Sequence, residues 1–112
     1  MDNLVSVLDR IQTLAAADLR SKGIFELFAS AAEELGELSR ELLIEEKTFG
    51  NAHKRGDEGS RAEAVDLAII ALAIYYGRGG SSLELGEILA RKVDKWESKY
   101  GGRLQGAEVD RR

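Results

Sequence analysis

Glu34, Glu37, Glu41 and Glu45 recur at spacings of three and four. On a helix such spacing places the carboxylates on one face, and Glu33 flanks it. Like charges so arranged repel, at a cost of about 0.2–0.5 kcal/mol per pair. A solvated surface tolerates that cost, and a bound cation recovers it. Further along, Glu63 and Asp66 stand three apart, and Asp66 interrupts the run Ala64-Val65-Asp66-Leu67-Ala68-Ile69-Ile70-Ala71. A carboxylate in such a run is expected to be at least partly buried, and a buried charge needs a partner. That partner is a lysine, an arginine or a metal. If the two acidic stripes face each other, at least four carboxylates meet. A multivalent cation or several basic side chains must then hold them. All-oxygen ligands favour magnesium or manganese over zinc. Plainer readings stand beside this one. Glu-x-x-Glu is common on surface helices, Glu63 follows Ser60 at capping-box spacing, and Asp66 suits a structural arginine.

These carboxylates need helices to position them, and the pattern supplies four. Leu4, Leu8, Ile11, Ala15 and Leu19 mark an amphipathic first helix, ending near Lys22-Gly23. The second is expected from about Phe25 to Glu46, with Phe28, Ala32, Leu35, Leu38 and Leu42 as its core stripe. Residues 48–59 hold three glycines and no periodicity, and read as a mobile loop. The third helix is expected from about Arg61 to Tyr76, where Gly77, Gly79 and Gly80 stop it. The fourth begins at Ser81, which stands three before Glu84. It runs to about Tyr100, with Leu85, Leu89, Val93, Trp96 and Tyr100 on one face. Residues 1–100 form the expected single domain, and 101–112 a polar, flexible tail. Four helices with short links suggest an all-α bundle. The third helix is apolar nearly all round. Its surplus surface is expected to bury against another subunit in a symmetric oligomer.

Composition agrees. The 112 residues suffice for one core. Proline is absent, and aromatic residues make up only 6%, which favours helices over a β-barrel or sandwich. Without cysteine there is no disulfide scaffold, thiolate zinc site or cysteine nucleophile. A cytoplasmic location fits. The net charge of −4 argues against a general nucleic-acid coat. Asp2 and Asp9 stand where a secretory signal needs basic residues. The longest nearly apolar run, Val65 to Tyr76, is far short of the ~20 residues of a membrane span.

Glu33-Glu34-Leu35-Gly36-Glu37, followed after residues 38–62 by Glu63-Ala64-Val65-Asp66, resembles the E-E-x-x-E and E-x-x-D motifs of the MazG-like family. Gly36 fits, since the first motif often reads E-E-x-G-E. Lys92-Val93-Asp94-Lys95-Trp96-Glu97-Ser98-Lys99-Tyr100 resembles the family's closing K-x-x-x-N-x-x-K/R-Y-P stretch. The resemblance covers roughly Ala31 to Gly101. It implies an all-α, four-helix bundle-like MazG fold, assembled as a dimer or a dimer of dimers. The implied activity is (deoxy)nucleoside triphosphate pyrophosphohydrolysis, giving a monophosphate and pyrophosphate. Glu34, Glu37, Glu63 and Asp66 are then the ligands of two or three magnesium or manganese ions. Glu33 and Glu34 are the catalytic pair, with Glu33 close enough to orient or deprotonate the attacking water.

The fourth helix carries Lys92, Lys95 and Lys99 on one stripe, suited to phosphates or to a plain basic face near a helix C-terminus. Lys92 and Lys95 are assigned to substrate, Lys92 because it matches the family lysine. Trp96 replaces the family asparagine and is assigned, with Tyr100, to the base, although tryptophan on an amphipathic helix more commonly packs in a core. Gly101 replaces the proline. The tryptophan-rich entry motif of some pyrimidine-specific relatives is missing before the second helix, which leans the expectation towards purine deoxynucleotides or a broad range. Lys54 and Arg55 in the loop suit phosphates or solvent, and His53 suits solvent. Relatives serve nucleotide-pool control in bacteria and some are carried by phages, whose site of action is the host cytoplasm. Two alternatives remain: a non-catalytic helical interaction module, and an enzyme like the histidine-pathway relative that cleaves phosphoribosyl-ATP.

Overall fold

The computed structural model describes residues 2–46 and 59–110, the segment 101–110 by its backbone alone. The described residues are all-α: α1 (Leu4–Ser21), α2 (Ile24–Glu45), α3 (Gly59–Gly77) and α4 (Ser82–Asp110). They fall into two compact units, Met1–Gly80 and Ser81–Arg112. The expected loop, with His53, Lys54 and Arg55, lies outside the described residues. No described helix is long and apolar enough to cross a membrane.

In the first unit, α1 opens on a reciprocal cap. The Ser6 N–H donates to Asn3 Oδ1 at 2.9 Å and the Asn3 N–H to Ser6 Oγ at 3.1 Å, satisfying two donors that a helix start leaves without partners. Gly23, at φ 91, turns the chain directly into α2. The core sits where α1, the start of α2 and the end of α3 meet. Ala15, Leu27, Ala73 and Tyr76 are buried there, with Ile11, Leu19, Ile24 and Leu72 packed against them. The expected stripe of α1 thus faces inward from Ile11 onward, while Leu4 is exposed. The small residues allow close approach. A Cβ on Gly77 would lie 2.5 Å from Leu19 Cδ1. The glycines stop α3 as expected, in a defined way. Gly79, at φ 93, lets its own N–H reach Tyr76 O at 3.0 Å and the Gly80 N–H reach Tyr75 O at 3.2 Å. These two bonds close the last turn in a Schellman motif.

Helix α2 departs from the expected packing. Phe28, Leu35 and Leu42 of the proposed core stripe are 64, 56 and 45% exposed, and Ala32 is exposed too. Leu27 and Ile44 are buried instead, with Leu38 half-buried. The face turned to α3 therefore carries Glu34 and the buried Glu41 among its apolar residues. The helix has two apolar stripes, and periodicity alone selects the more continuous one. Helix α3 is likewise one-sided. Val65 and Ile69 are 57 and 41% exposed. Asp66 is exposed rather than partly buried, because the apolar residues beside it lie partly on that same uncovered side.

The second unit is the single helix α4. The Glu84 N–H donates to Ser81 Oγ at 3.1 Å, the expected N-terminal cap. Helix α4 continues to Asp110, past the end expected at Tyr100 and through the segment expected to be a flexible tail. Glycine costs about 1 kcal/mol in a helix but keeps its N–H donor. Gly101 and Gly102 weaken the turn without breaking it, and the residues beyond them contain no proline.

Candidate functional site

Helices α2 and α3 run antiparallel. The start of α2 and the end of α3 share the core, and the end of α2 bonds to the start of α3. This pairing brings the two acidic motifs alongside each other. Glu34, Glu37 and Glu63 each offer a carboxylate oxygen, all within 4.8 Å of one another. Glu34 and Glu63 are half-buried and Glu37 is exposed. Among the described residues, Glu34 Oε2 and Glu63 Oε2 are inaccessible to solvent and have no hydrogen-bond partner. Carboxylate oxygens in that condition lack both water and a donor, which a cation remedies.

The charges perturb one another. Burial raises the Glu34 carboxyl above its ordinary value, and repulsion from Glu37 and Asp66 adds to the shift. Burial also raises Glu63, aided by its hydrogen bond with Glu37 and by repulsion from Glu37, Asp66 and Glu34, to about 7. Near neutral pH the Glu63 carboxyl is therefore divided between its protonated and ionised forms.

Three of the four expected ligands, Glu34, Glu37 and Glu63, converge. Asp66 lies outside this group, yet it is near enough to raise both Glu34 and Glu63. Glu33 is exposed on α2 and also outside the group.

Two members of the acidic stripe do other work. Glu41 is 3% exposed, with the Arg40 guanidinium 3.5 Å from its Oε1. The Glu45 carboxylate accepts the Ser60 N–H at 2.7 Å and the Ser60 Oγ–H at 2.6 Å. Ser60 thus bonds to Glu45, and not to Glu63 as the plainer capping-box alternative would have it. The sequence carries no signal for this long-range choice, since Glu45 shares type and spacing with the converging glutamates.

On α4, Lys92, Lys95, Lys99, Trp96 and Tyr100 line one shallow concavity. The Trp96 and Tyr100 rings meet edge to face, with centroids 6.3 Å apart at 81°. Lys99 Nζ lies 5.9 Å from the Tyr100 ring centre. Cations beside aromatic faces suit an anionic ligand that carries a π-system.

Neither a protein-family model, nor a curated protein, nor a solved structure matches the chain.

Proposed function

We propose that the chain is a magnesium- or manganese-dependent nucleoside triphosphate pyrophosphohydrolase of the MazG-like type. The observation that carries this reading is the convergence of Glu34, Glu37 and Glu63, with two of their oxygens buried and without donors among the described residues. The motif resemblance adds Asp66 to the ligand set and the triphosphate as substrate.

The residues have the following roles. Glu34, Glu37, Glu63 and Asp66 would hold the metal, which when bound supplies charge neutralisation of the phosphates and acidification of water. Glu33, adjacent in sequence to Glu34, accepts the proton of the attacking water. The water oxygen bonds to the α-phosphorus, and the bond from that phosphorus to the bridging oxygen breaks. Nucleoside monophosphate and pyrophosphate leave. Lys92 and Lys95 are assigned to the phosphates, and Trp96 and Tyr100 to the base. The substrate leans to purine deoxynucleotides or a broad range, and the role is control of the nucleotide pool. The exposed stripe of Phe28, Leu35 and Leu42 supports self-association as a dimer or dimer of dimers.

The test is a panel of ribo- and deoxynucleoside triphosphates with magnesium or manganese, with products separated. Release of pyrophosphate and monophosphate is expected. Release of single phosphate, or no turnover of any nucleotide, overturns the reading.

The same exposed apolar stripe favours a second reading, a non-catalytic helical interaction module. Thermal melting with millimolar manganese separates the two, because a ligand that binds only the folded state raises the melting temperature. Stabilisation supports the site, and an unmoved transition supports the module.

A further inference from the structure

Glu34 and Glu37 of α2 meet Glu63 of α3, and like charges so placed disfavour the contact, so the register of the two helices needs fastening beside them. The hairpin is fastened on both sides of the carboxylates. At one end Leu27 of α2 shares the buried cluster with Ala73 and Tyr76 of α3. At the other, Glu45 receives both Ser60 donors, at 2.6 and 2.7 Å. Glu34 and Glu37 lie between these fastenings on α2, and Glu63 lies between them on α3.

The second fastening is specific. The Ser60 N–H belongs to the first turn of α3, where backbone donors have no partner within the helix. A carboxylate there complements the helix dipole, and bonds to an ionised acceptor at this length are strong ones. One bond holds backbone and the other holds a side chain, so height and rotation of the helix start are both set. Glu63 follows Ser60 by three residues, just under one turn. What fixes Ser60 therefore fixes the direction of Glu63.

We propose that Glu45, through Ser60, is a positioning residue of the acidic site. It holds α3 in the register that brings Glu63 onto Glu34 and Glu37, and it does not bind the cation. This rests on reading that cluster as a cation site. Glu45 stands outside the converging group, and Ser60 engages each of its two oxygens.

The experiment titrates the whole chain with manganese well below its melting temperature. Electron paramagnetic resonance reads the free ion, and circular dichroism checks each variant's helicity. Ser60→Thr keeps both donors and is expected to bind as the parent does. Ser60→Ala loses one bond and Glu45→Ala both, and each is expected to bind at least roughly tenfold more weakly, the lower end for groups that orient metal ligands. Glu45→Gln keeps an acceptor for the Ser60 N–H and offers its amide N–H to Ser60 Oγ, and is expected to bind nearly as the parent does. Glu37→Gln, a direct ligand, is expected to lose binding. Parent-like affinity in both Ser60→Ala and Glu45→Ala, with loss only in Glu37→Gln, overturns the proposal and leaves the cation site standing. Loss in the Glu45 variants with parent-like Ser60→Ala makes Glu45 a ligand and also overturns it. A parent that binds no manganese removes the cation site and this inference together. If Glu45→Ala does not fold, the pair Ser60→Ala and Ser60→Thr carries the same comparison.

Discussion

Glu63 of α3 and Glu37 of α2 hold carboxylate oxygens within 4.8 Å of each other, and burial together with this contact raises the Glu63 carboxyl from 4.5 to about 7. The folded chain thus binds that proton more tightly than the unfolded chain does. The sign for stability follows from linkage. The contribution of this group is full below pH 4.5 and is lost as pH rises to about 7. Glu34 shifts in the same direction. Without divalent metal, the melting temperature is expected to carry a component that declines across this window, and Glu63→Gln to flatten it. With manganese the order reverses, because cation and proton compete for the same oxygens. The manganese-induced rise should grow through pH 7. Melting curves in a buffer series measure both, and an equal manganese effect at every pH counts against competition.

Removing a ligand separates function from folding. Glu37→Gln and Asp66→Asn are expected to lower pyrophosphate release at least ~100-fold, the scale for losing one group that stabilises developing charge. Both should retain the helical circular dichroism. Glu37→Gln should also raise the melting temperature of the metal-free protein, because Glu37 repels both Glu34 and Glu63. Near-parent turnover in either variant removes that residue from the site.

The helices were legible because their signals are local. Ser81 and Glu84 announce the cap of α4, the glycines after Tyr76 end α3, and the spacing of Ile11, Ala15 and Leu19 gives the inner face of α1. The convergence of Glu34, Glu37 and Glu63 was legible from their spacing along two adjacent helices. Which side of α2 turns inward was not. Phe28, Leu35 and Leu42 form the better apolar series, and yet Glu34, Leu38 and Glu41 face α3. Helical period gives the faces of a helix but not which neighbour each meets. The Glu45–Ser60 bond was hidden for a related reason, since it joins residues on either side of a long segment and depends on how the hairpin closes.

The outward stripe of α2 yields its own prediction. Phe28, Leu35 and Leu42 stand seven apart and are all exposed within the chain. Burying a large apolar side chain favours association by about 1.5–3 kcal/mol, so self-association through this face is expected. Leu35→Glu places a charge in the middle of the stripe, on a side not packed against α3. It should keep the helical content and reduce the mass in solution, read by light scattering after size exclusion. A variant with the parent's mass counts against self-association through this face.

Trp96 gives a direct optical test of the substrate assignment, being the sole tryptophan of the chain and 65% exposed beside Tyr100. A base stacked on an aromatic ring contributes roughly 1–3 kcal/mol. Nucleoside triphosphate is therefore expected to quench the tryptophan emission, and purines to do so at lower concentration because their faces are larger. Trp96→Ala should raise KM at least about fivefold, the equivalent of 1 kcal/mol, and leave kcat little changed, since stacking on the base does not touch the phosphorus. The competing role for this residue is packing in an apolar interface. Emission indifferent to nucleotide, combined with an altered mass for Trp96→Ala, would assign it that role and take the base contact away from α4.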